Sequence, residues 1–280
     1  MKGRKVVSTV IYHIFIAALG LIMVYPVLWM VSGSLKNNAE ILSGSLSLIP
    51  PAWRWENFAQ GWRGFGHVTF TTYFKNSLVI TTFATLGTVI SSSLIAYALS
   101  RVKFAGRKLW FTIMIGTMLL PGQVVMIPQY LIYNRIHWVG TPLPLIVPHF
   151  FGAPFFIYMM MQFMTSIPRE LDEAAIIDGC SKYSVFSRVI FPLLKPSIIS
   201  TIIIQFYWKW DDYMGPMLYL GKPTSYTVSI AVKLFADATS KTDYGPMFAM
   251  STLSMIPVFT IFLVFNRYLV DGISTSGLKG

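Results

Sequence analysis

Long apolar runs separated by short polar loops dominate the chain, and six of these runs are long enough to cross a bilayer. A spanning helix needs about 20 mostly apolar residues. The runs that qualify are residues 7–31, 76–99, 109–130, 143–165, 196–213 and 246–268. Prolines interrupt several of them: Pro121 and Pro128 (with Gly122) the third, Pro148 and Pro154 the fourth, Pro257 the sixth. Such breaks are tolerated in membranes where neighbouring helices or water satisfy the freed backbone groups. Kinked helices also suit a path that opens and closes. The pattern predicts an all-α polytopic membrane protein with six transmembrane helices. No internal repeat or linker divides it, so residues 1–280 are read as a single domain.

Composition strengthens that reading. Charged residues make up 12% of the 280 and apolar ones 54%, with a mean hydropathy of +0.60; soluble domains carry about 25% charged residues. Lys2, Arg4 and Lys5 precede the first run as they would in a signal peptide. The apolar stretch that follows outlasts the 7–15 residues, roughly, of a signal core, so it is expected to be a retained span. The single cysteine, Cys180, excludes an intrachain disulfide or a cysteine metal cluster.

The formal net charge of +11 is explained by topology rather than by nucleic-acid binding. With the N-terminus inside, the inner segments hold Lys2, Arg4 and Lys5, then Arg101, Lys103, Arg107 and Lys108. They also hold Arg169, Lys182, Arg188 and Lys195, and finally Arg267 and Lys279: thirteen of the 22 basic residues. The positive-inside rule therefore places both termini in the cytoplasm.

The inner loop between the fourth and fifth runs, within residues 166–195, carries the most local information. Ser166 or Ile167 before Pro168 can open a helix, and Glu170, Asp172 and Glu173 crowd its first turns, where acids complement the helix dipole. Ala174 and Ala175 continue it, and Gly179 suits the left-handed position that ends a helix. Ser181 can cap a second helix that stops before Pro192. By composition alone this is either an ordinary solvated loop or a helical knuckle built to dock.

The order Glu173-Ala174-Ala175, Asp178-Gly179, Ile190 and Pro192 resembles the EAA motif of ABC importer permeases. Pro26 to Lys36, Trp55-Glu56-Asn57-Phe58, Asn76-Ser77-Leu78, Ala96 to Arg101, Ile127-Pro128-Gln129-Tyr130 and the tail Gly272 to Gly280 resemble the maltose-permease-like, carbohydrate-uptake branch. The resemblance implies the type I importer permease fold, with a core over residues 72–268. It implies that the loop docks on a cytoplasmic ABC ATPase dimer, Glu173 facing the ATPase, Gly179 making the bend and Asp178 pairing locally. It further implies a second permease as heterodimer partner and an external sugar-binding protein. Cys180 stands where that family usually has Ala. The chain has no Gly-x4-Gly-Lys-Ser/Thr phosphate loop, so ATP and Mg are expected on the partner ATPase, and no cofactor or metal is expected on this chain.

A substrate path is sought among polar groups inside the spans, which are costly there. The end of the fifth run, Gln205 to Tyr213, mixes aromatic rings with hydrogen-bonding groups. Gln205, Trp208, Trp210, Asp211, Asp212 and Tyr213, with Asn76, form the candidate set. Rings beside polar groups suit sugars, but an aromatic belt at the outer interface has the same composition. Lys209 beside Asp211 and Asp212 reads as a structural ion pair, and Asp211 replaces the family's usual amide. The outer loop from Gly221 to Gly245 matches, by position, the family's loop that reaches the binding protein. Met159 to Met161, Met164 and His149 are weighed as copper ligands; consecutive helical residues point in different directions, so packing is expected instead. An ion-coupled carrier would call for ionisable residues near span centres, and a membrane enzyme for a nucleophile or metal motif. The sequence shows few of the former and none of the latter.

Overall fold

The computed structural model describes the backbone of residues 2–236 and 243–276, and the side chains of 9–236 and 243–266. Among these residues the chain is helical, with one isolated bridge between Phe65 and Val68. The helices, in order, are α1 (Lys2–Gly33), α2 (Asn38–Leu42), α3 (Glu56–Arg63), α4 (Phe70–Arg101), α5 (Arg107–Met118), α6 (Gly122–Arg135) and α7 (Leu143–Ile146). A 3-10 turn (Val147–Phe151) leads to α8 (Pro154–Thr165), α9 (Glu170–Ile177) and α10 (Lys182–Val185). A π turn (Phe186–Ile190) and α11 (Phe191–Leu193) lead to α12 (Lys195–Trp210), α13 (Met214–Tyr219), α14 (Val228–Leu234) and α15 (Tyr244–Ser276).

Among the described residues four stretches are long and apolar enough to cross a membrane: Thr9–Gly33, Phe70–Arg101, Leu143–Thr165 and Tyr244–Asn266. The number is six if each of two bent helix pairs forms one span. The third expected span is such a pair: α5 and α6 meet at 103°. Pro121 takes an extended ψ of 133° before Gly122, which no helix continues through. The second pair, Lys182–Leu193 with α12, bends by 73°.

The chain forms two compact units. The first comprises residues 1–71 and 231–256. Its fixed point is Asn57, which is buried and donates from Nδ2 to the carbonyls of Ser34 and Lys36, both at 2.9 Å. Gly245 lies so close to Asn57 that an added Cβ would fall 2.7 Å from Nδ2, and Gly61 packs likewise against Met250. Asn38 Oδ1 accepts from the amide of Tyr244 at 2.9 Å. The buried Lys36 ammonium bonds the Ser47 carbonyl and lies 5.8 Å from the Trp29 ring. The conspicuous sequence pieces around Lys36 and Asn57 therefore fasten this unit together.

The second unit comprises residues 72–230 and 257–280. Its core packs Ala96, Tyr97 and Leu99 of α4 against Met160 and Met164 of α8, Phe186 and Ile190 of the π turn, and Leu194 and Ile198. The two methionines are fully buried, in keeping with a packing role. The second loop helix does not stop at Pro192. The π turn widens the coil at Phe186–Ile190 and lets the helix run on to Leu193, because a proline lacks the N–H that the normal ladder needs.

Candidate functional site

The inner loop forms a two-helix knuckle. α9 starts two residues later than the sequence suggests, at Glu170, with Arg169 as its N-cap and no side-chain cap. It ends in a Schellman motif: the Gly179 amide donates to the Ile176 carbonyl at 3.0 Å and the Cys180 amide to that of Ala175 at 2.9 Å. Gly179 has φ +84°, the left-handed conformation that only glycine adopts freely. Ser181 then caps α10 by accepting from the Ser184 amide at 3.2 Å. Ala175 and Cys180 turn inward onto the core of the second unit. Glu173, Ala174 and Asp178 are exposed, beside the bare apolar side chains of Leu171, Ile176, Ile177 (86% exposed) and Tyr183 (73%).

In the sequence Arg101 is a topological charge at the end of a family-like stretch, with no sign of a partner; in the structure it ties the knuckle to the membrane helices. Its guanidinium donates to Asp172 Oδ2 at 3.0 Å and to the carbonyls of Met164 and Ile167, both at 2.6 Å. The pair is largely dry, with side-chain exposures of 5% and 15%. Tyr97 adds a hydrogen bond to the Lys182 carbonyl at 3.1 Å. The paired acid of the loop is thus Asp172 rather than Asp178. A basic residue at the end of one apolar run, 71 positions before an acid, offers no local signal of this contact.

The residues considered for a substrate path separate. Asn76 holds the carbonyls of Thr224 and Tyr226 at 2.9 and 3.0 Å. Trp210 is buried and stacks on Phe206 with centroids 5.8 Å apart. Asp212 pairs with Lys209 at 3.4 Å and accepts from the Gly215 amide at 3.0 Å, opening α13. Trp208 is exposed and packs against Phe155 and Phe156, Asp211 is exposed, and Tyr213 is half-buried. Only Gln205 points to a polar cluster inside the spans: its Nε2 lies 3.2 Å from His149 Nδ1, and Thr88 Oγ1 lies 3.3 Å from the same atom. Of the outer loop from Gly221 to Gly245, residues 237–242 lie outside the described residues, as do the last four of the tail.

The sequence model of binding-protein-dependent transport system inner membrane components matches residues 89–275, a stretch that includes the whole knuckle. The chain belongs to that family. Its apolar helices agree, and it is a multi-pass permease subunit. The permease is 33% identical over 257 residues to the probable ABC transporter permease protein YurM of Bacillus subtilis (strain 168), covering 91% of this chain and 84% of that one. It is 29% identical over 269 residues to the arabinooligosaccharides transport system permease protein AraQ of the same organism, covering 95% and 94%. It is 29% identical over 280 residues to the trehalose/maltose transport system permease protein MalG of Thermococcus litoralis (strain ATCC 51850 / DSM 5473 / JCM 8560 / NS-C), covering 99% of each. Among solved structures, a chain of a bacterial ABC transporter that imports the acidic polysaccharide alginate superposes with a TM-score of 0.80 at 22% identity, covering 94% of this permease and 96% of that chain. That likeness shows the importer permease fold.

Proposed function

We propose that this permease forms half of the transmembrane path of a carbohydrate importer and couples it to ATP hydrolysis on a separate subunit. The observation that carries the coupling is the α9 knuckle: an exposed acidic and apolar surface around Glu173, Ile177 and Tyr183, backed by the dry Arg101–Asp172 clamp. Exposed apolar side chains on a polar knuckle suit a protein partner, and the clamp makes a push on α9 a push on α4 and α8. Glu173, Ala174, Ala175, Asp178 and Gly179 are the coupling residues in this reading, and the ATP and Mg sites lie on a cytoplasmic ATPase dimer. The half-path is completed by a second permease, and an external binding protein delivers the sugar. A di- or oligosaccharide is supported by the likeness to AraQ and MalG, permeases of an arabinooligosaccharide and a trehalose/maltose transport system. Both termini lie in the cytoplasm in this reading, which the distribution of basic residues supports.

The test is sugar-stimulated ATP hydrolysis by the assembled complex in vesicles, comparing wild type with Glu173→Ala and Gly179→Asp. Hydrolysis that continues while uptake stops marks the knuckle as the coupling element. Uptake without ATP, or wild-type behaviour by both variants, would sink the reading.

A further inference from the structure

Hydroxyl side chains run the length of α4 on one stripe: Ser77, Thr81, Thr85, Thr88 and Ser92, all buried, recur every three or four residues. On α12, Thr201, Gln205 and Lys209 recur every four. Hydroxyls inside membrane helices commonly donate to the carbonyl one turn back, as Ser91 does to Gly87 at 2.7 Å and Thr201 to Ser197 at 2.9 Å. Thr81 and Thr85 do not; their buried Oγ1 atoms have no hydrogen-bond partner. A buried polar atom without a partner is uncommon and calls for a ligand or water.

The two stripes meet at His149. Thr88 lies about 20 Å along α4 from Arg101 and Gln205 about 15 Å along α12 from Lys195, at a rise of about 1.5 Å per residue, which is near the bilayer midplane. The 3-10 turn carrying His149 is held against α4 by Ser91, which donates to the His149 carbonyl at 2.9 Å, and by the Ala153 amide, 3.4 Å from Ser92 Oγ. Gly87 lets the Phe150 ring approach to where a Cβ would stand 2.6 Å from it. On the ring, the amide of Gln205 and the hydroxyl of Thr88 converge on Nδ1. The Gln205 Nε2 group can only donate, so Nδ1 accepts and the ring proton sits on Nε2, with the Thr88 hydroxyl sharing the same acceptor. A histidine kept for packing would have both nitrogens bonded; here the bonds found for the ring are both at Nδ1.

We propose that His149 is a substrate-binding residue of the translocation path, whose Nε2–H donates to a hydroxyl of the sugar at the bilayer midplane, with Gln205 as the positioning residue that fixes its tautomer and Thr88 as one that holds the ring in place. Non-helical backbone at membrane depth is tolerated where it lines a cavity or a path, which accounts for the break at Gly152 and Ala153 just after the 3-10 turn. The unpartnered Thr81 and Thr85 hydroxyls continue the same polar lane outward from His149. This rests on the carbohydrate reading above.

The experiment uses the complete complex with its cognate binding protein in proteoliposomes, and labelled arabinotriose, maltose and trehalose as probes within a panel of mono-, di- and oligosaccharides. Wild type is compared with His149→Phe, His149→Gln, Thr88→Val and Thr88→Ser, and assembly is checked by copurification. His149→Phe is expected to assemble and to hydrolyse ATP while sugar uptake falls about tenfold, the worth of one well-placed hydrogen bond. His149→Gln, which keeps a donor, is expected to recover most of it. Thr88→Val is expected to lose uptake and Thr88→Ser to keep it, so the test survives a phenylalanine variant that fails to assemble. Equal uptake by wild type and Thr88→Val, or by wild type and His149→Phe, overturns the site; so does a glutamine variant as poor as the phenylalanine one. A binding protein that captures no saccharide of the panel overturns the carbohydrate reading instead.

Discussion

Gly179 and Gly87 are both indispensable glycines, for opposite reasons. At Gly179 an added Cβ would meet nothing within 4 Å, so any penalty comes from the φ of +84° alone. Gly179→Ala is expected to weaken the α9 C-cap by about 1 kcal/mol, and Gly179→Asn by less, since asparagine tolerates this region. Limited trypsin digestion at Arg169 and Lys182 checks this: cleavage should rise in the order wild type, Asn, Ala. At Gly87 the backbone is ordinary helix, and the penalty is the clash with Phe150. Gly87→Ala should cost about 1–3 kcal/mol of stability by overpacking. Adding Phe150→Ala should return part of it, a non-additive cycle readable by thermal denaturation of the detergent-solubilised complex. The first glycine is legible in sequence because it follows a helix at the position where a left-handed residue belongs. The second is not, because its reason is a ring 63 residues away.

At the scale of elements, the clamp on α9 makes the sharpest demand. Arg101 satisfies two carbonyls and one carboxylate in a dry setting. Removing one partner of a buried ion pair typically costs about 3–5 kcal/mol, because the other is left uncompensated. Arg101→Gln is therefore expected to detach α9 from α4 and α8, so that ATP hydrolysis no longer responds to the loaded binding protein. Asp172→Asn keeps an acceptor for the guanidinium and should be milder; vesicle assays of stimulated hydrolysis and uptake distinguish the two. Equal and full coupling in both variants would mean that the clamp transmits nothing. The elements themselves were legible to different degrees. Gly179 and Ser181 marked the end of α9 and the cap of α10, since both signals are local. The interruption at Pro121–Gly122 was legible, though not its 103° size, whereas the helix expected to stop before Pro192 instead runs on through a π turn. A proline fixes that a helix must change, but the neighbouring packing decides whether it bends, widens or ends. In the same way the mixed run Gln205 to Tyr213 could not reveal which of its side chains turn inward; only Gln205 reaches the midplane cluster, while Trp210 and Asp212 are taken up by packing and by the start of α13.

For the whole molecule the orientation in the bilayer proposed from charge can be tested with one reagent. Lys103, in the turn between α4 and α5, and Lys108, beside Arg107 at the start of α5, stand exposed in a cluster with no acid. Carrying such a cluster across the membrane is disfavoured, so the turn belongs inside. In the proposed orientation α4 runs outward from Arg101 to Phe70, and the chain before it, with Ala52, is expected to label from outside. Cys180 is the single cysteine, so a Cys180→Ser background permits single-site labelling. Ala52 and Ala105 are both exposed. Ala52→Cys in intact cells should react with a membrane-impermeant maleimide, whereas Ala105→Cys should react only after permeabilisation. The opposite pattern would invert the molecule, turn the α9 knuckle away from the cytoplasm, and remove ATPase docking as its role. The same measurement also reads the bent pair of α5 and α6. If the pair crosses the bilayer as one broken span, a cysteine at Gly140, beyond α6, labels from outside like Ala52. If it dips in and returns, that cysteine labels from inside like Ala105.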